Sequence, residues 1–318
     1  MKEHTEKGLF SIGFYNLENL FDTKDDPTTL DDDFTPESYK KWTPKRFEDK
    51  VRKLGKAIST IGVDRMGHPP VILGVSEVEN AMVLEALTTS KFLKDKGYAY
   101  VHFNSPDERG IDTALLYRSQ YFKVLNAQPH ALTLYNETNE RDYTRDILQV
   151  TGTLMGEQVH VLVNHWPSRR KGAAETAPAR KLAAQKNNEV IQSILAEEPD
   201  ARIIVMGDFN DDPFSESLQI LKNDYLYNPM ETLLSFDKGS LVHDNDWYLF
   251  DQLLLSPNFL KGHSNSFRFE DAHIFNPRNL QEFDEPYEGN PFRTYVGKKY
   301  LGGYSDHFPV YGIFEVEK

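Results

Sequence analysis

The sequence predicts an α+β fold in which two packed sheets carry helices on their outer sides, and three observations support it. Strand-like runs recur along all 318 residues. Several are continuously apolar, the pattern of strands buried on both faces. Helical periodicity appears only at irregular intervals, which fits packed sheets better than a regular βαβ alternation. No stretch is rich enough in Gly, Pro or Ser to divide the chain, so residues 1–318 read as one domain.

The predicted strands, in order, are Phe10–Tyr15, Val71–Val75, Tyr98–Phe103, Thr113–Tyr117, Asp146–Leu154, Val159–Val163, Arg202–Met206, Leu249–Leu255 and Val310–Val316. Met155-Gly156-Glu157-Gln158 reads as a hairpin turn joining the fifth to the sixth. A helix is expected after the start signal Thr43-Pro44, with Val51, Leu54, Ile58 and Ile61 on its apolar face. A second should run from about Ala179 to Leu195, with Leu182, Ile191 and Ile194 inward. A third should be capped near Ser215. The acidic stretch Asp22–Tyr39 and the segment Glu282–Gly303 read as solvated loops, the second close enough to Ser305 to wall a site.

Composition narrows the possible functions. With 39% hydrophobic and 12% aromatic residues the chain can bury a sizeable core, and it has no cysteine. Disulfides, thiolate metal sites and cysteine nucleophiles are therefore excluded. A mean hydropathy of −0.58 and the lack of a long apolar run argue against a transmembrane segment. The opening Met1–Lys7 is charged and has no apolar leader core, so the protein is expected in the cytoplasm, or exported with a leader absent from this chain. The net charge of −13 argues against tight, nonspecific binding of nucleic acid, which rests on neutralising phosphates.

Two motifs carry most of the chemistry. Gly207-Asp208-Phe209-Asn210 stands directly behind the apolar run Ile203–Met206, and Ser305-Asp306-His307 leads into Phe308-Pro309-Val310. Polar groups at the mouths of buried strands are costly to desolvate, so a purely structural role explains them poorly. Asp208 and Asn210, two apart, share one face of an extended backbone and can bind a hard metal or orient a water. An Asx turn is the plainer alternative. His307 suits proton transfer near neutral pH, against the plainer reading of a loop histidine. Asp251 interrupts an apolar strand and needs a partner, for which an imidazole from another strand is the natural candidate.

Weaker signals lie on other strand ends. Asn164 and His165 close one strand and are followed by the cations Arg169, Arg170 and Lys171, which suit a phosphate oxygen or simply face solvent. Glu77 closes another strand as a divalent-metal carboxylate, or as a charge before the helix expected near Ala81, a role that suits Glu79 better. Asn16 follows the first strand, and Arg145 begins a later one.

In chain order, Asn16, Glu77, Arg145, Asn164-His165, Gly207-Asp208-Phe209-Asn210, Asp251 and Ser305-Asp306-His307 resemble the motifs of the endonuclease/exonuclease/phosphatase superfamily. The resemblance runs from Phe14 to Val310. It implies a four-layer αββα sandwich and hydrolysis of phosphoesters dependent on Mg2+ or Mn2+. By position, Glu77 is the implied main metal carboxylate, with Asn16 beside it and Asp306 nearby. Asp208 and Asn210 are implied to orient or activate the attacking water. His307, paired with Asp251, is implied to contact the phosphate and move protons. His165 is the implied second imidazole, with Asn164 and Arg145, joined by Arg169, on the phosphate. The resemblance leaves the general base open.

Attack is expected in line, by water, without a covalent intermediate, and no Gly-rich nucleotide loop is present. The expected partner is a phosphoester substrate, nucleic acid included. A nuclease-type phosphodiesterase is the leading expectation. A phosphatase or phosphodiesterase for small or lipid-linked esters is the alternative, and a catalytically silent binding module is the second. Candidate specificity loops are Asp22–Lys41, Arg169–Glu175 and Glu282–Tyr304, the last with Phe292, Arg293, Tyr295 and Tyr300.

Overall fold

A computed structural model describes residues 8–135, 138–170, 172–260 and 267–316. Met1–Lys7 and Lys171, both used in the sequence arguments, lie outside the described residues. One sheet has the order β14–β17–β1–β2–β4–β3. Its strands are β1 (Leu9–Leu20), β2 (Ile72–Val78), β3 (Tyr98–His102), β4 (Asp112–Arg118), β14 (Phe267–Ile274) and β17 (Val310–Val316). The other has the order β13–β10–β9–β8–β5. It comprises β5 (Phe122–His130), β8 (Ile147–Leu154), β9 (Glu157–His165), β10 (Arg202–Asp208) and β13 (Asp251–Leu255). Three small hairpins decorate the sheets: β6–β7 (Leu134–Tyr135, Arg141–Asp142), β11–β12 (Leu241–His243, Asp246–Tyr248) and β15–β16 (Tyr295–Val296, Lys299–Tyr300).

The period of two along each strand builds four layers. Phe10, Ile12 and Phe14 of β1 meet Val161, Val163, Ile204 and Met206 between the sheets. Tyr15 and Leu17 of β1, with Leu73 and Val75 of β2, turn the other way onto α1 (Pro44–Ile58) and α3 (Ala81–Thr88). Ile203 and Val205 of β10 likewise face α4 (Ala173–Glu197) and α5 (Glu216–Lys222). The short α2 (Val63–Met66) follows α1. Both faces of the central strands are covered, which is why their sequences read as unbroken apolar runs. Burying each such side chain contributes about 1.5–3 kcal/mol. The αββα sandwich expected from the resemblance is the fold observed. Among the described residues no helix is long and apolar enough to cross a membrane.

Local signals were read with varying success. Thr43 caps α1, accepting the Arg46 N–H, and Pro44 takes the first turn. The hairpin loop is tighter than expected. Leu154 pairs with Glu157, which leaves Met155 and Gly156 alone in the turn at φ 50° and 93°, the left-handed pair that a two-residue hairpin demands. Ser215 holds the cap position of α5 but makes no capping bond with its side chain.

Two expectations need correction. Leu182 faces solvent, because the inner face of α4 is phased by Arg180, Ala183, Asn187, Val190, Ile191 and Ile194. Asp22–Tyr39 is not simply a solvated loop. Phe34 stacks on Phe21 with ring centroids 4.3 Å apart, Trp42 packs edge-on against it, and Asp31 is buried.

Candidate active site

The site is built on one row across three neighbouring strands. The parallel β9–β10 register sets His165 beside Asp208, and the antiparallel β10–β13 register sets Asp208 beside Asp251. Gly207 makes this close approach possible: a Cβ there would lie 2.4 Å from the Asn164 carbonyl oxygen. Phe209, fully buried, packs edge-on against Trp166 and anchors the turn that follows.

The facing sheet delivers its groups through irregular backbone. Glu77 sits where β2 shifts register with both neighbours, as the extra residue against β4 and opposite the longer stretch Leu17–Asn19 of β1, and its φ is 59°. A non-glycine residue held there marks stored strain of the kind found at functional sites. Its Oε2 accepts the Asn19 N–H at 2.8 Å, and its Oε1 faces His165 Nε2 at 3.8 Å. Asn16 donates from Nδ2 to Asp208 Oδ2 at 3.0 Å, which bridges the two sheets. Ser305 Oγ donates to the Asn16 carbonyl at 2.7 Å and accepts the His307 N–H at 3.1 Å, so the late motif is fastened to the first strand.

Charge states follow from these neighbours. His307 Nδ1 bonds Asp251 Oδ2 at 2.6 Å, and Nε2 lies 3.9 Å from Asp208 Oδ2. Burial disfavours the imidazolium, but Asp251, then Asp208 and Asp306, outweigh it and hold His307 well above the ordinary imidazole range. His165 is pushed well below that range by burial and then by the charges of Arg145, Arg109, His307 and Arg170, so it is neutral. Burial pushes Asp208 up to about 6, against the lowering effect of His307 and its hydrogen bonds.

Asn16, Glu77, His165, Asp208, Asp251 and His307 therefore converge. Asp306 sits at the edge, half-exposed, 3.9 Å from His307 Nε2 and 3.7 Å from Arg293. Asn210 forms the Asx turn that was its plainer reading: its N–H bonds Asp208 Oδ1 at 3.0 Å, its φ is 50°, and its side chain donates to the Trp166 carbonyl. Three expected phosphate groups are engaged elsewhere. Asn164 alternates with His165 and so points to the opposite face, where Oδ1 accepts Trp166 Nε1 at 3.0 Å and Asn187 Nδ2 at 2.7 Å. Arg145 is buried and spends its guanidinium on Asp107 and the Trp166 carbonyl. Arg169 holds the Asn210 carbonyl and Asp211. These are struts beneath the row.

Sequence reasoning missed the support on the far side. Lys50, fully buried, donates to Thr294 Oγ1 and the Tyr304 carbonyl and lies 3.6 Å from Glu18, whose carboxylate accepts the Thr294 N–H at 2.6 Å. This fixes 292–304 and corrects the view of that segment as free loop. A clue existed: Lys50 falls on the apolar face of α1, one turn before Leu54. Arg109 was also overlooked, although it stands near Glu77 with burial weakening its charge.

The residues present suit a hard divalent ion. Glu77 Oε1 takes no hydrogen bond from the described residues, and Asn16 and Asp306, the other expected ligands, carry oxygen donors of the kind Mg2+ and Mn2+ prefer, Asn16 Oδ1 also accepting the Glu18 N–H at 2.9 Å. The buried Asp208, Asp251 and His307 have ligand atoms within 4.8 Å of one another and could also hold an ion. His307 Nδ1 is already committed to Asp251, which fits that trio better to proton transfer.

A family model described as "Endonuclease/Exonuclease/phosphatase family" matches residues 11–318. The chain belongs to that family, whose members are hydrolytic phosphoesterases. No curated protein matches. Among solved structures, an endonuclease/exonuclease/phosphatase family protein from Bacteroides thetaiotaomicron is similar at 16% identity, with 98% of this chain and 99% of that one covered and a TM-score of 0.62. D. rerio TDP2 complexed with a single-strand DNA product matches at 15% identity, 97% and 99% coverage and a TM-score of 0.59. The mannosyl-6-phosphatase of B. thetaiotaomicron matches at 17%, 95% and 98%, with a TM-score of 0.58. At these identities the likeness shows a shared fold.

Proposed function

We propose that this chain, acting as one domain, is a divalent-metal-dependent phosphoester hydrolase that uses water as nucleophile. The observation that carries the reading is the buried His307–Asp251 pair, at 2.6 Å, presenting Nε2 toward Asp208 at the end of both sheets. Asp208, held ready to accept a proton, takes one from water as its oxygen attacks phosphorus in line. The P–O bond to the alcohol breaks on the opposite side. The charged His307 donates its Nε2 proton to the departing oxygen. Neutral His165 offers an N–H to a phosphate oxygen, and Asp251 keeps His307 oriented and charged. Glu77, Asn16 and Asp306 would hold Mg2+ or Mn2+, which supplies neutralisation of the developing phosphate charge when bound.

Two surface features bear on the ester. The charges of Arg109 and Arg170 act on His165, which suits an anionic phosphate, mono- or diester alike. On the Asp306 side the walls are acidic, which disfavours a polyanionic strand. With the overall charge of −13, this supports a small phosphoester over nucleic acid, the reverse of the order suggested by the motifs.

The test is hydrolysis of p-nitrophenyl phosphate, bis-p-nitrophenyl phosphate and supercoiled plasmid with Mg2+ or Mn2+, beside EDTA and His307→Ala controls. Hydrolysis lost in both controls is the expected result. A folded protein that stabilises on binding metal yet cleaves none of the three, nor a panel of sugar and polyol phosphates, would make it a binding module and sink the proposal.

A further inference from the structure

A groove of about 660 Å³ opens between the β11–β12 hairpin and the segment 282–301. It lies against the catalytic motif on both sides. Leu241 of β11 bridges His307 in the backbone, and Val242, the next residue, lines the groove. From the other wall Arg293 reaches to 3.7 Å from Asp306. That wall is fixed by backbone bonds, Glu282 N–H to Asn290, Phe292 N–H to Leu280 and Gly303 N–H to Arg293. The volume is that of a small-ligand site.

Its lining defines what fits. Among the described residues that line it, the carboxylates of Asp244, Glu282, Asp284 and Glu285 outnumber the cations of Arg293 and Lys299. Asn245, Asn290 and Tyr287 add two amides and an aromatic ring. Carboxylates and amides accept and share the hydrogen bonds of adjacent hydroxyls, and an aromatic face takes the C–H side of a ring. A chain of phosphates would meet four carboxylates against two cations.

We propose that this groove binds the leaving alcohol of the substrate, and that this alcohol is a neutral polyhydroxylated ring, so that the substrate class is a sugar or cyclic-polyol phosphate. The inference rests on the phosphoesterase reading above and adds the leaving group. An ester bound at His307 places its alcohol toward the groove mouth, where hydroxyls replace water on Asp284, Glu282 and Asn245, while Arg293 marks the boundary between phosphate and alcohol.

The experiment compares kcat/KM for glucose 6-phosphate, fructose 6-phosphate and myo-inositol 1-phosphate with that for phenyl phosphate and an eight-nucleotide single strand. At least one polyol phosphate should exceed both references by roughly tenfold, one discriminating hydrogen-bonded pair. The double variant Glu282→Lys/Asp284→Lys should erase that excess through KM, with kcat kept. Where it fails to fold, Tyr287→Ala at its exposed position serves instead. Equal rates for polyol and phenyl phosphates, or preference for the strand, overturn the inference while leaving the hydrolase reading intact. Should the wild type hydrolyse nothing, line broadening of the polyol phosphates in proton NMR reads the groove directly. Broadening lost in the variant supports the subsite, and none in the wild type removes it.

Discussion

Two imidazoles flank one carboxylate oxygen at nearly equal distances: His307 Nε2 is 3.9 Å from Asp208 Oδ2, and His165 Nε2 is 3.8 Å from it. Both are buried, yet their pKa values are pushed in opposite directions. His307 has Asp251 behind it, and His165 has the charges of several arginines acting on it and a buried Nδ1 with no hydrogen-bond partner among the described residues. Desolvation acts alike on the two, so the group behind the ring decides. The same type of side chain thus meets two opposite electrostatic settings within a single pocket.

The largest break in that comparison is His307→Ala. Losing the proton donor should cost on the order of 10²–10⁴-fold in kcat, and Asp208→Ala should do as much through the base. Both variants should keep the wild-type circular dichroism spectrum, and activity retained by either folded variant would remove the assigned role. Asp251→Asn sharpens the comparison by keeping the shape while deleting the charge. His307 should then titrate at lower pH, moving toward His165, as read from its imidazole NMR signals. An unmoved titration would show that Asp251 is not the cause. The activity loss should be roughly tenfold or more.

The two histidines also predict opposite slopes of stability against pH. The folded pKa of His307 is raised, so its contribution is full below the ordinary value near 6.5 and is lost as pH rises through the folded value. The folded pKa of His165 is depressed, so the unfolded chain gains a proton first, and stability falls as pH drops below about 6.5. His307→Ala and His165→Ala should each flatten the corresponding limb of a urea-midpoint profile, and identical profiles would refute the charge assignment. Asn164→Ala, one residue from His165 but on the other face, should cost about 1–3 kcal/mol through the stranded Trp166 and Asn187 donors and leave kcat near wild type. A large kcat loss at unchanged stability would restore it to the phosphate. Leu182→Gln, on the solvent face of α4, should stay within about 0.5 kcal/mol in the same denaturation assay.

The legible parts of this fold were those where hydrophobic burial alone sets the pattern. Strands such as Arg202–Met206 announce themselves because both faces are covered. β5 did not, since it is an edge strand with most side chains at least partly exposed and Pro129 within it. The phase of α4 was misread because Arg180 and Asn187 occupy its inner face, satisfied by Asp211 and Asn164, partners invisible to any local pattern. At the site, Asp251 was readable as a carboxylate that needed an imidazole. Asn164 was not, because the alternation that aims His165 inward aims its neighbour outward. The apolar face of α1 flags Lys50 alone, and its partner Glu18 becomes legible only once α1 and β1 are brought together.

Ser305 and Asn16, joined across 289 residues of sequence, give the molecule a timetable. β17 fills the gap between β1 and β14, so β1 keeps a bare edge until Val310–Val316, far later in the sequence, has been synthesised. That edge must be shielded during translation, since an open strand edge invites pairing with other chains. The same delay withholds His307, two residues beyond Ser305, from Asp208 and Asp251. A protease cut just before Ser305 would undo both at once, reopening the sheet and removing His307.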